Sequence, residues 1–264
     1  MKLNVLDLEK GKVKIEIGKK TFFKDPIFFG GPCSVEDYGT MRKIASSLKA
    51  IGVDVLRGGA YKPRTSPYDF QGLKDDGLKI LKEIKDEFNM PVSTEILDIR
   101  DLEKVQDIVD IIQIGSRNMY NYVLLEEAAK LGKPIILKRG FSATVNEWLN
   151  AAEYMVKEGN ERVILCERGI RTFETTTRNT LDLNSVAYVR EHSRLPVIVD
   201  PSHGTGVREL VRPMALAGVM AGASGLIIET HIEPDEAVSD SEQTVDVATL
   251  KEIIARVNDI WRFV

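Results

Sequence analysis

Eight short apolar runs, most followed by a polar or glycine-containing loop, set the strongest limit on what this chain can fold into. They are ‘PIFFGG’ from Pro26, ‘VDVLRGG’ from Val53, ‘PVSTEI’ from Pro91, ‘DIIQIGS’ from Asp110, ‘PIILKRG’ from Pro134, ‘RVILCERG’ from Arg162, ‘PVIVDPSH’ from Pro196 and ‘GLIIETH’ from Gly225. Between the first two, Met41, Ile44, Ala45, Leu48 and Ile51 recur at three- and four-residue spacing, as one buried face of a helix would. Leu78, Leu81, Ile84 and Phe88 do the same, and helical patterns fit residues 121–131, 144–156, 183–191 and 208–222, with Pro213 expected to bend or offset the last. Strands alternating with helices predict an α/β fold with a parallel sheet, and eight such units predict a single TIM (β/α)8 barrel. An open doubly wound sheet is the alternative, because the sequence does not show that the first and eighth strands pair. Ahead of the first unit, ‘KVKIEI’ and ‘KTFF’ flank ‘GK’ and predict a β-hairpin able to plug the lower mouth of the barrel. Residues 1–25 are therefore expected as a hairpin extension and 26–264 as the barrel.

Composition agrees with one large domain. The 264 residues show no composition break or flexible linker, and 43% hydrophobic with 29% charged residues is the balance of a soluble globular chain. No apolar run is long enough to span a bilayer, and the N-terminus alternates charged and apolar residues where a secretory signal would be continuously apolar. A cytoplasmic protein is expected, without a membrane partner. The two cysteines, Cys33 and Cys166, are too few for a disulfide framework. A net charge of −4 argues against nucleic acid as a partner, which needs a broad basic surface, so any anion site must be local.

In a barrel the loops that follow the strands gather at one face. The residues at those ends are Cys33, Arg57, Glu95, Arg117, Lys138, Arg168, His203 and Glu229. A single Arg or Lys beyond a strand is usually a solvated cap, but repetition at corresponding ends is harder to explain that way. Arg57, Lys62, Arg64, Arg117, Lys138 and Arg168 could surround more than one phosphate or carboxylate, with Thr65 and Ser66 adding hydroxyl donors. Gly58 and Gly59 mark either close backbone approach or a plain turn. Neither a Walker loop nor a dinucleotide fingerprint is present, so ATP and NAD are not indicated.

A second set, Cys33, His203, Glu229 and Asp240, consists of residue types that bind divalent metals. Sulfur, nitrogen and oxygen donors together suit a transition metal better than magnesium. Taken singly, Cys33 could be a small buried hydrophobe and His203 a structural hydrogen-bonding group. Asp240 reads most simply as the cap of the following helix. Glu229 is harder to dismiss, because a carboxylate ending an apolar strand needs a cation or donors.

Read together, ‘GGPCSVE’, ‘YKPRTSPYDFQG’, ‘IGSRNM’, ‘ILKRG’, ‘DPSHGTG’, ‘IIETH’ and ‘SDSEQTV’, in order from Gly30 to Val245, resemble 3-deoxy-D-arabino-heptulosonate 7-phosphate (DAHP) synthase. The likeness is to the compact type Iβ-like branch without a fused regulatory domain, and the pairing of ‘GPCS’ with ‘KPRTS’ is highly specific. The resemblance implies condensation of phosphoenolpyruvate with erythrose 4-phosphate at the first step of the shikimate pathway. It implies metal ligation by Cys33, His203, Glu229 and Asp240, with Mn2+ expected and Zn2+, Fe2+ or Co2+ as alternatives. It also implies phosphoenolpyruvate binding by Arg57, Lys62, Arg117, Lys138 and Arg168, and aldose phosphate binding by Arg64 and Thr65. Within that chemistry Lys62 is the first candidate for proton delivery to the aldehyde oxygen, with Glu95 and Asp200 as polar partners. Glu95 could instead form a structural ion pair, and Asp200 could orient His203.

The remaining features have plainer readings. Cys166, Trp148 and Trp261 are expected in packing, His192 at a helix C-terminus, and His231 as an outer neighbour of the Glu229 site. The runner-up enzyme is 3-deoxy-D-manno-octulosonate 8-phosphate synthase, which uses arabinose 5-phosphate and whose loop commonly resembles K-A-N-R-S where this chain has ‘KPRTS’. A noncatalytic phosphosugar-binding barrel is the reading from another class. A homo-oligomer, dimer or tetramer, is expected, with little inhibition by aromatic amino acids because the chain offers no room for a separate regulatory domain.

Overall fold

The computed structural model describes residues 3–63 and 66–264, and in it the sheet closes on itself. An antiparallel pair comes first, β1 (Glu16–Ile17) and β2 (Lys20–Thr21). The barrel units follow as β3 (Ile27–Gly31), α1 (Tyr38–Ala50), β4 (Val55–Arg57), α2 (Asp75–Phe88), β5 (Val92–Ile96) and α3 (Leu102–Val105). Next come β6 (Ile111–Ile114), α4 (Tyr122–Lys130), β7 (Ile135–Lys138), α5 (Val145–Lys157), β8 (Val163–Glu167) and α6 (Leu183–His192). The chain then forms β9 (Val197–Val199), α7 (Pro201–Thr205), α8 (Arg208–Met220), β10 (Gly225–Glu229) and α9 (Val247–Ile260). The last strand pairs in parallel with the first from Gly225↔Ile27 to Glu229↔Gly31. That closure excludes the open doubly wound sheet.

The strands hold because both faces are covered: β3, β8 and β10 are buried at every position, so they read as apolar runs without alternation, β8 and β10 each ending in a buried glutamate. Helices begin at side-chain caps. Asp37 accepts from Thr40 N at the start of α1, and Thr144 with Glu147 forms a reciprocal capping box at α5. On α1 the buried stripe is Met41, Ile44, Ala45 and Leu48, as the spacing predicts. Pro213 does not break α8, which continues through it.

Two elements differ from the sequence reading. After β5 the chain makes only a 3-10 turn, Ile99–Asp101, and the single turn of α3, too little periodicity to register as a helix. After β9, the ‘DPSHGTG’ stretch folds into the one-turn helix α7, which carries His203.

The N-terminal pair covers the end of the barrel opposite those loops. Ile15, Ile17 and Phe22 are buried there. Each such side chain contributes about 1.5–3 kcal/mol by leaving water. Lys20 Nζ bonds Pro26 O and Asp54 Oδ2, and Val13 N bonds Arg194 O, all at segments entering β3, β4 and β9. Among the described residues no helix is long and apolar enough to cross a membrane.

Candidate active site at the barrel mouth

The strand ends place charge where it must be paired. Arg57, Lys138 and Glu229 are 5%, 4% and 0% exposed. Arg57 Nη1 donates to Glu229 Oε1 at 3.0 Å, and Lys138 Nζ donates to Asp200 Oδ2 at 2.6 Å. Without these partners each buried charge would cost several kcal/mol, on the order of 3–5 when one member is removed. Two glycines permit the close packing. Gly31 has φ 143°, and a Cβ there would lie 2.1 Å from Arg57 O. A Cβ on Gly59 would lie 2.8 Å from Cys33 O and 2.8 Å from Lys62 Cδ, so close approach is the reading that holds for this glycine.

Cys33, His203, Glu229 and Asp240, from four separate loops or strand ends, offer ligand atoms that all lie within 4.8 Å of one another. Cys33 Sγ donates to Asp240 Oδ2 at 2.8 Å and accepts from Lys62 Nζ at 2.7 Å. Burial pushes the Cys33 thiol up to about 12, helped by Glu229 and opposed by Lys62. Burial also lowers His203 below its ordinary value, against the pull of Asp200 and Glu229. Asp200 is held well below the usual carboxylate range: burial opposes its charge, and His203 and Lys138 outweigh it. His203 Nδ1 lies 2.8 Å from Asp200 Oδ2. With Asp200 ionised, Nδ1 carries the proton, and the lone pair of Nε2 then faces Glu229 Oε1 at 3.3 Å. A lone pair turned toward a carboxylate suits a cation between them. The donor set of one sulfur, one nitrogen and two carboxylates fits a divalent transition metal.

Beside this cluster lies a cleft of about 180 Å³ lined by Lys62, Pro63, Asp69, Glu95, Arg117, Phe141, Arg168, Arg178, His203 and Asp240. Two of its cations, Arg117 and Arg168, lie over the Phe141 ring, as does the neighbouring Arg171. Arg168 and Arg171 each lie 4.7 Å from the Phe141 centroid, and Arg117 lies 5.5 Å away. Lys62 keeps its proton: burial works against the charge, and Cys33 and Glu229 outweigh it. Glu95 takes a hydrogen bond from Gln113 Nε2 at 3.3 Å and packs against Gly115, whose added Cβ would meet Glu95 Oε1 at 1.9 Å. Among the described residues Glu95 forms no ion pair.

The expected residues thus converge, except that Arg64 and Thr65 lie outside the described residues. The reading of Asp240 as a helix cap is corrected: its side chain caps nothing, and it bonds Cys33 and Arg178 from a left-handed backbone at φ 54°. The His231 ring makes its polar contacts with other residues: its Nδ1 lies 2.7 Å from Glu233 O and its Nε2 3.6 Å from Glu36. Cys166 is buried at β8, Trp148 is buried with Nε1 donating to Leu137 O, and His192 ends α6 with Nδ1 2.9 Å from Tyr188 O. Sequence reasoning misses Phe141, Arg171, Arg178 and Gln243. Their only signal is the number of polar residues after β7, β8 and β10, which marks loops without ranking members.

The profile of the DAHP synthetase I family matches residues 6–261. A phospho-2-dehydro-3-deoxyheptonate aldolase of Thermotoga maritima is 49% identical, over 97% of this chain and 73% of the relative. The crystal structure of a Thermotoga maritima DAHP synthase superposes with a TM-score of 0.93 at 46% identity, covering 98% of this chain and 76% of the other. A 2-dehydro-3-deoxyphosphooctonate aldolase of Thioalkalivibrio sulfidiphilus is more distant, at 29% identity over 89% of this chain and 90% of the relative. With a family match spanning nearly every residue and a barrel shared from hairpin to last helix, the chain belongs to the DAHP synthetase I family.

Proposed function

We propose that the chain condenses phosphoenolpyruvate with erythrose 4-phosphate and water to give DAHP and phosphate, in the shikimate pathway. The observation that carries this reading is the four-ligand cluster lying against a cleft lined by cations from separate loops. Identity of 49% to a phospho-2-dehydro-3-deoxyheptonate aldolase, against 29% to an octulosonate aldolase, supports the four-carbon aldose over arabinose 5-phosphate.

In this reading Arg57, Lys62, Arg117, Lys138 and Arg168 hold the phosphoenolpyruvate carboxylate and phosphate, and Arg64 with Thr65 holds the aldose phosphate. Cationic walls let two anions approach despite their repulsion and fix C3 of phosphoenolpyruvate toward the aldehyde carbon. Cys33, His203, Glu229 and Asp240 hold a divalent ion, Mn2+ first among the candidates, which when bound polarises the aldehyde oxygen as a Lewis acid. Lys62, charged and within reach of the cleft, delivers the proton to the oxygen that becomes a hydroxyl. Asp200 fixes the His203 tautomer, and Glu95 orders polar groups at the cleft wall. Residues 1–25 serve as a plugging extension and 26–264 as the catalytic barrel. The protein works as a cytoplasmic homo-oligomer, with neither nucleic acid nor membrane as partner.

The test is phosphate release from the two substrates after chelation and metal return. Chelated enzyme should be inactive, Mn2+ should restore turnover, and Cys33→Ala should lose most of it; full activity of Cys33→Ala in metal-free buffer would remove the metal from the mechanism.

A further inference from the structure

Gln243, 2% exposed, sits on the single 3-10 turn that follows Asp240. Its amide is held between a carboxylate and a guanidinium. Nε2 donates to Glu229 Oε2 at 2.5 Å, and Oε1 accepts from Arg178 Nη1 at 3.1 Å. The same Arg178 nitrogen donates to Asp240 Oδ1 at 3.1 Å. Chemistry fixes which way the amide points: reversed, it would set a carbonyl against a carboxylate and N–H groups against a guanidinium that has no acceptor. The two Glu229 oxygens are thereby divided. Oε1, 3.0 Å from Arg57 Nη1 and 3.3 Å from His203 Nε2, faces the ligand cluster, while Oε2 is engaged by Gln243.

We propose that Gln243 is a positioning residue for the metal: it restrains Glu229 so that one oxygen faces the ion, and Arg178 locks the amide while tying it to Asp240. The inference rests on the metal-dependent reading above. Gln243 is neither one of the four ligand residues nor part of the cleft lining, and acts only through the carboxylate it holds. Removing such a partner weakens metal binding about 10–100-fold in general.

The test titrates metal-stripped protein with Mn2+ by calorimetry, for the wild type, Gln243→Met and Gln243→Asn. Methionine keeps the volume without the amide. Asparagine keeps an amide one methylene short of Glu229, and it carries the test if Gln243→Met fails to fold. Both variants should bind Mn2+ about 10–100-fold more weakly, with an altered spin-resonance spectrum of the bound ion. At saturating Mn2+ the KM for phosphoenolpyruvate should match the wild type. A lower melting temperature with wild-type Mn2+ affinity and spectrum would mark Gln243 as packing alone and overturn the proposal. A folded wild type that binds none of Mn2+, Zn2+, Fe2+ and Co2+ would overturn the metal reading itself, and this inference with it.

Discussion

Arg139→Met tests whether the frame behind the site is held by buried charge. Glu167, 0% exposed at the end of β8, accepts from Arg139 Nη1 at 2.9 Å, from Ser185 Oγ at 3.0 Å and from Gly169 N at 2.7 Å. Arg139 also donates to Asp182 Oδ2 and to Ala143 O, so its guanidinium joins the loops after β7 and β8. Methionine keeps much of the aliphatic volume but leaves Glu167 buried with three neutral donors and no ion-pair partner. Breaking such a pair costs about 3–5 kcal/mol, which at roughly 2–4 °C per kcal/mol lowers Tm by about 6–20 °C. The assay is thermal unfolding of metal-stripped protein, so that ligand binding adds nothing to Tm. Arg139→Met/Glu167→Gln should recover about half of the loss, because a neutral amide needs no counter-charge. A single variant melting within about 2 °C of the wild type, or a double variant no more stable than the single, would refute the reasoning.

Two further outcomes follow from the site. At pH 7 the Cys33 thiol, pushed up to about 12, is protonated, whereas His203, Glu229 and Asp240 are lowered, so the imidazole is neutral, the carboxylates are ionised and none of the three gives up a proton to bind a cation. Metal binding should therefore release close to one proton, and affinity should fall about tenfold when pH drops from 8 to 7; calorimetry in buffers of different ionisation enthalpy that finds no release would contradict this. Gly115→Ala should push the Glu95 carboxylate aside, lowering kcat by about tenfold or more while Tm shifts little, because the clash falls on a flexible side-chain end. Parallel kinetics and melting curves check that split, and unchanged kcat would show that Glu95 needs no fixed position.

The barrel is legible in the sequence because most of its strands are buried on both faces and appear as short, largely apolar runs flanked by Gly or Pro, and its longer helices each show one apolar stripe. α3 is not, since one turn supplies only Leu102 and Val105 to the core. Charged residues at strand ends stand out against apolar neighbours, which is why Arg57, Lys138 and Glu229 can be picked from the string. Residues on the loops have no such background. Gln243 lies within ‘SDSEQTV’, yet nothing local says that its amide reaches Glu229, and Arg178 meets Asp240 only after β8 and β10 are brought to one mouth. Taken alone, Asp240 reads as a cap because an Asp before a short helical turn usually is one, and only the family motif put it among the ligand-type residues; the left-handed backbone that turns the side chain toward Cys33 is set by the tertiary fold.

Product formation from phosphoenolpyruvate with each aldose phosphate tests the central claim most directly. Purified protein with Mn2+ is mixed with phosphoenolpyruvate and either erythrose 4-phosphate or arabinose 5-phosphate; phosphate release is followed, and the sugar acid is identified by mass. The account predicts the seven-carbon sugar acid phosphate as the preferred product. Arabinose 5-phosphate turnover need not be zero, since one extra carbon and its hydroxyl are weakly discriminated at an open mouth. Faster turnover of arabinose 5-phosphate would move the assignment to octulosonate synthesis, and no product from either aldose would contradict the account.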